Sequence, residues 1–159
     1  MAMRGSSSGW VRGGAALAVP AFALGGCGGE QDSGDAARDF VRAMNDGSIA
    51  THPDLFEPAP SARQMAKLEK VSQRCDFDER SIEVLPGGLT PQVERFVVVA
   101  TCDDSQALVG ASTYRELDSG GGRPNAEVTI GPEFLPGGSH AGKFPRDLLS
   151  ERTRGLPAL

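Results

Sequence analysis

The segment VERFVVVATC, residues 93–102, constrains the fold more than any other part of this sequence. It is rich in β-branched residues, which favour strands. Its second half is apolar on both alternating phases, which is typical of a strand with both faces buried. We therefore predict that this segment is the central strand of a sheet, and that the rest of the fold is built around it.

Two amphipathic segments before this strand predict helices. The first has apolar residues at the spacing of one helical face: Ala37, Phe40, Val41 and Met44. With Ser33 as N-cap and the stop signal Asn-Asp-Gly ending at Gly47, it predicts a helix over 34–46. In the second segment, Ser61 and a glutamine three residues later fit a capping box, which predicts a helix over 61–74.

The pattern then changes from helical to alternating. It predicts strands at 81–84, 107–116 and 126–130 in addition to the central one. Helices followed by strands in this order indicate an α+β domain over 35–130, with two N-terminal helices packed on a four-stranded antiparallel sheet. Residues 131–159 are rich in Gly and Pro and predict a flexible tail, partly disordered or with a short helix over 145–154.

The first 26 residues have the composition of an export signal. They contain Arg4 and Arg12 and no acidic residue, and a mostly apolar stretch follows at 15–24. Ten helical residues span about 15 Å, half of a bilayer core, so this stretch fits the hydrophobic region of a signal peptide and is too short for a membrane span. Met1 and Met3 are both acceptable starts.

This leader ends in Leu24-Gly25-Gly26-Cys27, which resembles the lipobox of bacterial lipoproteins. The resemblance implies that a diacylglyceryl group is attached to the sulfur of Cys27 and that signal peptidase II cuts just before it. The polar residues that follow, within 27–34, would then form a flexible linker on the extracytoplasmic face of a cell membrane. A plain secretory peptide and an uncut N-terminus are the alternatives.

The cysteine count supports export with lipidation. The chain has three cysteines, and lipidation of Cys27 leaves Cys75 and Cys102 as an even pair. Export permits these two to form a disulfide. The cysteines and histidines have no metal-ligand spacing, and Asp103-Asp104 is interpreted as a turn former. We therefore predict a Cys75–Cys102 disulfide and neither a metal nor another cofactor.

The charge balance disfavours one class of partner. The whole chain has a net charge of −5, and without the two arginines of the leader it has 14 basic and 21 acidic residues, a net of −7. A sequence-independent nucleic-acid binder needs clustered Lys and Arg, so nucleic acid is not an expected partner. An anionic leaflet repels a negative domain, so the lipid anchor would have to hold it at the membrane.

The element order, together with the segment DAARDFVRAMNDG at residues 35–47, resembles small NTF2-like (cystatin-like) lipoproteins of bacteria. The resemblance covers about residues 35–130 and implies a cone in which helices curl against a bent sheet. The chain departs from that pattern because it lacks a tryptophan on a late strand. Its only tryptophan is Trp10, in the leader.

Such a cone can host an acid–base pair, because an apolar interior shifts pKa values toward neutrality. The candidates for catalysis are Asp39, His52 and Tyr114. Asp39 is nevertheless expected on the solvent side of its helix, and His52 precedes a proline in a loop. The sequence therefore predicts a membrane-anchored, non-enzymatic domain that either binds a small molecule or protein not identified by the sequence or has a structural role in the cell envelope. A small NTF2-like hydrolase or isomerase is the alternative.

Overall fold

The structure, a computed structural model, describes residues 31–87, 92–115 and 127–159. Within them, three helices and five strands follow the chain: α1 (Ser33–Asn45), α2 (Ala62–Ser72), β1 (Cys75–Phe77), β2 (Glu83–Pro86), β3 (Val93–Cys102), β4 (Ser105–Arg115), β5 (Val128–Gly131) and α3 (Glu151–Arg154). The strands pair antiparallel in the order β1-β3-β4-β5, and β2 also pairs with β3. The sheet curls into a half-barrel, so the prediction of a mixed α+β fold is confirmed at this level.

The start of α1 is fixed by a reciprocal cap. The Asp32 carboxylate accepts a hydrogen bond from the backbone N–H of Asp35 at 2.8 Å, and the Asp35 carboxylate accepts one from the N–H of Asp32 at 3.4 Å. The prediction of Ser33 as N-cap was wrong by one residue. Its hydroxyl lies inside the first turn, 2.7 Å from that of Thr113 on β4. The predicted stop is confirmed, because Gly47 has a φ of +69°.

The first face of the sheet packs against α1 and α2 through a core of aromatic rings. Phe40 of α1 is fully buried at the centre of this core. Its ring centroid lies 5.8 Å from that of Phe96, 6.1 Å from that of Phe77 and 6.5 Å from that of Phe56. The last two contacts are edge-to-face, a favourable arrangement for aromatic pairs. The space between helices and sheet is therefore filled by side chains.

The second face of the sheet is covered by the C-terminal segment, residues 132–159. A second cluster of buried side chains lies here: Leu85, Val97, Val99, Leu108 and Leu149. Val97 and Val99 of β3 alternate with the residues that face the helices, which explains why this strand is apolar on both phases. The segment predicted as a flexible tail thus packs against the sheet. Its predicted helix over 145–154 is reduced to a single turn, α3, preceded by a 3-10 turn.

The end of the chain also contacts the edge of β4. The backbone N–H of Leu108 donates to the carbonyl of Pro157 at 2.7 Å, and the N–H of Leu159 donates to the carbonyl of Leu108 at 3.0 Å. β5 pairs only with the last four residues of β4, so the first half of that edge is not covered by β5. Because exposed strand edges tend to pair with other chains, this contact protects part of the edge.

Two strands differ from the prediction. β1 was missed, because Cys75 continues the apolar spacing of α2 and was assigned to the end of that helix. In the structure Cys75 lies opposite Cys102 in the pairing of β1 with β3, and the described sheet has five strands, not four. In β2 the alternation of Ile82 and Val84 with Ser81 and Glu83 predicts that Val84 is buried, and this phase is wrong. Val84 is 42% exposed, whereas Leu85 is buried against the C-terminal segment.

Glu83 of β2 holds the C-terminal segment through three hydrogen bonds. Its carboxylate accepts from the backbone N–H of Ser150 at 3.0 Å, from the hydroxyl of Ser150 at 2.6 Å and from the hydroxyl of Thr153 at 2.7 Å. Partial burial raises the pKa of Glu83, but these bonds and the nearby charge of Arg152 together outweigh it. The net effect is a pKa below the ordinary value of a glutamate.

Replacing Glu83 with Gln is expected to lower the free energy of unfolding at neutral pH by about 1 kcal/mol, since the lost bonds are charge-assisted but the site is largely open to solvent. Because folding lowers the pKa of Glu83, its contribution is complete above the ordinary carboxyl pKa of about 4.3 and is lost as pH falls through the lower folded value. The difference between wild type and variant should therefore shrink in acid. Urea unfolding at a series of pH values measures it.

The matched control is Glu151→Gln, in the same segment. Glu151 is exposed, and its side chain makes no hydrogen bond within the part of the chain that the structure describes. This variant should unfold like the wild type at every pH. Equal destabilisation by both substitutions would contradict the role given to Glu83.

Candidate functional site

The disulfide predicted from the cysteine count is present. Cys75 and Cys102 lie directly opposite each other in the pairing of β1 with β3, with their Cα atoms 4.2 Å apart. Cys75 is buried and Cys102 is partly buried. The bridge joins the segment after α2 to the end of the central strand. It also uses two of the three cysteines of the chain, leaving Cys27 as the third.

The residues of the predicted lipid-attachment site lie outside the described residues, which begin at Gln31. These are Leu24, Gly25, Gly26 and Cys27. The folded domain begins within the predicted linker, because α1 starts at Ser33, whereas the linker was predicted to extend to residue 34. The side-chain carbonyl of Gln31 accepts a hydrogen bond from the backbone N–H of Val128 at 3.5 Å, and the cap of α1 follows at Asp32. The attachment point of the linker therefore lies beside the start of β5.

Asp39 and His52 line the same surface hollow, which has a volume of about 290 Å³. Asp39 lies on the outer side of α1, and its carboxylate is 3.6 Å from the guanidinium of Arg42. His52 is exposed between two short 3-10 turns. The apolar interior on the other side of α1 is occupied by Phe40 and its neighbours. The two candidates thus share a hollow that is open to solvent, and neither faces the core.

Tyr114 does not belong to this hollow. It lines a neighbouring open depression of about 910 Å³, between the loop at 53–57 and the ends of β4 and β5, which shares only Asp54 with the first. Its hydroxyl donates to the carboxylate of Glu133 at 2.5 Å. Partial burial, the hydrogen bond with Glu133 and the negative charge of Glu133 raise the pKa of Tyr114. The three residues considered for catalysis therefore do not converge on one centre.

The acidic pair Asp103-Asp104 forms a hairpin turn, as predicted. Both residues have positive φ values, +47° and +67°, and the flanking Cys102 and Ser105 pair across the two strands. These features are typical of a two-residue hairpin. The carboxylate of Asp103 forms an ion pair with Arg74. Across residues 31–87, 92–115 and 127–159, no three side chains of His, Cys, Asp or Glu are grouped so that they could hold a metal ion.

A basic face on α2 was not predicted. Four cationic residues recur at intervals of four, three and four positions: Arg63, Lys67, Lys70 and Arg74. All four are exposed, and they line two adjoining hollows of about 530 and 280 Å³. These four residues recur at the same helical spacing as the apolar residues of this segment, so the basic face can be recognised in the sequence. The negative net charge of the whole chain does not indicate it.

Comparison of the chain with protein-family models, with curated proteins and with solved structures gives no match. The chain is an α+β domain with both faces of the sheet covered, a disulfide at one end and shallow open hollows on its outside. None of the helices in the described ranges has the length and apolar character that crossing a membrane requires.

Proposed function

We propose that this chain is a lipoprotein anchored through Cys27 on the extracytoplasmic face of a cell membrane, with a non-enzymatic binding or envelope-associated domain. The observation that carries this proposal is the arrangement of the cysteines. Cys75 and Cys102 are joined inside the folded domain, a state favoured in oxidising compartments. Cys27 is the remaining cysteine and follows Leu-Gly-Gly, the sequence that resembles a lipobox.

The domain is proposed to be a variant of the NTF2-like fold. A curled antiparallel sheet with α1 and α2 packed on one face supports this assignment. The interior between helices and sheet is occupied by Phe40, Phe56, Phe77 and Phe96. A ligand or protein partner would therefore bind on the outer surface of the domain, and not inside a cone.

The absence of catalysis is part of the proposal, and the positions of the candidates support it. Asp39 and His52 line an open hollow, while Tyr114 is bonded to Glu133 elsewhere. An acid–base pair works best in a site where burial and neighbouring charges adjust both groups. A hydrolase or isomerase that uses Asp39 and His52 would have to act from the solvent-exposed side of α1.

The linker between the proposed anchor and the domain is short. Four residues separate Cys27 from Asp32, the cap of α1. A fully extended chain spans at most about 3.3–3.6 Å per residue, so a lipid on Cys27 would keep the start of α1 within about 18 Å of the membrane surface. The domain is then tethered close to the bilayer without being embedded in it.

Metabolic labelling with a tagged fatty acid tests the anchor in a bacterial host that processes lipoproteins. The full chain should incorporate the label, and Cys27→Ser should abolish it. The matched control is the double variant C75S/C102S, which removes the other two cysteines and should still be labelled. This readout does not depend on folding. Label in the Cys27→Ser protein, or none in the wild type, would contradict the proposal.

A further inference from the structure

We propose that the basic face of α2 binds the anionic lipid headgroups of the membrane that carries the anchor. This face consists of Arg63, Lys67, Lys70 and Arg74. The inference rests on the proposed lipid anchor and goes further, because it assigns an orientation to the tethered domain. Net charge alone predicts repulsion from an anionic leaflet. The distribution of charge, in contrast, predicts that this one face is attracted to an anionic leaflet.

The basic face is continuous and accessible. Its members span twelve residues, or about 16 Å along the axis of α2 and the turn that follows it. All four side chains are exposed. Glu69 lies on the same helix, and Arg74 forms an ion pair with Asp103. Within the described part of the chain, the side chains of Arg63, Lys67 and Lys70 have no ion pair or hydrogen bond.

The basic residues of α1 differ from those of α2 because they are paired with acidic residues. The two arginines of α1 are paired with acidic side chains: Arg38 contacts Asp35 at 2.6 Å, and Arg42 contacts Asp39 at 3.6 Å and Glu79 at 3.3 Å. Those charges are largely compensated within the domain. The charges of Arg63, Lys67 and Lys70 have no such partners in the described residues, so this face attracts anions in a chain whose net charge is negative.

The neighbouring apolar groups fit the interfacial region of a bilayer. The hollow lined by Lys67, Lys70 and Arg74 is also lined by Val71, by the disulfide and by Leu159, which is 37% exposed. Long cationic side chains can lay their methylene stems along such apolar surface while their charged ends reach the headgroups. The face thus offers both kinds of group that contact the surface of a membrane.

A lipid surface is favoured over an acidic protein because of the tether. The short linker from Cys27 keeps the domain beside the membrane at a high effective concentration, so a weak electrostatic attraction is sufficient. Each Lys or Arg close to an anionic surface favours the bound state about fivefold. A soluble acidic partner would need its own affinity to compete.

The three lysines of this chain provide the test. Lys67 and Lys70 belong to the basic face, and Lys143 is exposed in the C-terminal segment outside both hollows. The full lipidated protein is inserted into preformed vesicles of phosphatidylcholine alone, or with a third of phosphatidylglycerol. A soluble amine-acylating reagent is added, and mass spectrometry measures the labelling rate of each lysine.

On the anionic vesicles we expect the labelling of Lys67 and Lys70 to fall about fivefold or more, and that of Lys143 to stay unchanged. Salt at about 1 M shortens the Debye length to about 3 Å and should restore labelling. Arg63→Glu should weaken the protection. Arg80→Glu makes the same change in net charge at an exposed residue away from this face and should leave the protection intact.

The failure of the docking inference differs from the failure of the anchor. If Lys67 and Lys70 are labelled as fast as Lys143 on both vesicle types, docking on lipid is overturned while the anchor stands. If both lysines are labelled slowly, and to the same extent on both vesicle types, something other than anionic lipid covers them, such as a second copy of the chain. This result also overturns docking on lipid. Protein that is retained on neither type of vesicle overturns the anchor itself.

Discussion

Replacing Phe40 with Ala is expected to lower the free energy of unfolding by about 3–5 kcal/mol, the usual loss for a fully buried phenylalanine. The total stability of a domain of this size is about 5–15 kcal/mol. The variant should therefore be only marginally folded. The physical reason is that Phe40 contacts the rings of Phe56, Phe77 and Phe96 at once, and its removal leaves a cavity between α1 and the sheet.

Urea denaturation followed by circular dichroism measures this loss. The matched control is Phe144→Ala on the second face of the sheet. Phe144 is only partly buried and packs beside the smaller cluster. Its replacement should destabilise the domain by clearly less than the Phe40 substitution. If the two variants lost equal stability, the helix-facing core would not be the main core of the domain.

Loss of the Cys75–Cys102 disulfide is the second large effect. The two cysteines are 27 positions apart in sequence, and the chain-entropy model gives about 3.5 kcal/mol for a loop of this length. The double variant C75S/C102S should be destabilised by about this amount. The bridge also holds β1 at the edge of the sheet, so we expect this strand to lose protection in hydrogen exchange before the rest of the domain.

A reductant provides the control for this prediction. It should destabilise the wild type to the level of the double variant and leave the double variant unchanged. Both measurements use the same urea denaturation. A wild type whose unfolding curve is insensitive to reductant would show that the bridge contributes no stability.

The central strand was the most predictable part of the fold. The structure places β3 at Val93–Cys102, the same ten residues that the alternation and β-branched content predict. Its apolar pattern on both phases already required that both faces be buried. Local periodicity was sufficient here because the segment is long and the same signal is repeated along it.

Elements determined by distant contacts could not be predicted in this way. Cys75 looks like the last apolar residue of α2, and only its pairing with Cys102 makes it part of a strand. The C-terminal segment consists of short turns without periodicity. Its position depends on the carboxylate of Glu83 and on the apolar contacts of Leu149, both remote in sequence. A Gly- and Pro-rich composition cannot distinguish such a segment from a flexible tail.

The positions of the candidate site residues were also only partly predictable from the sequence. The outward position of Asp39 followed from the helical period, because Phe40 beside it had to face the core. That Asp39 and His52 share a hollow while Tyr114 does not depends on tertiary packing. The basic face of α2 could have been recognised from the spacing of Arg63 and the residues that follow it. To recognise this face, the charged residues must be counted separately for each face of the helix.

The mass of the N-terminal peptide of the mature protein, isolated from membranes, shows whether Cys27 carries a lipid. We expect a peptide that begins at Cys27 and is heavier than the unmodified sequence by at least one diacylglyceryl group. A peptide that begins before Cys27, or one that carries Cys27 without added lipid, would contradict it.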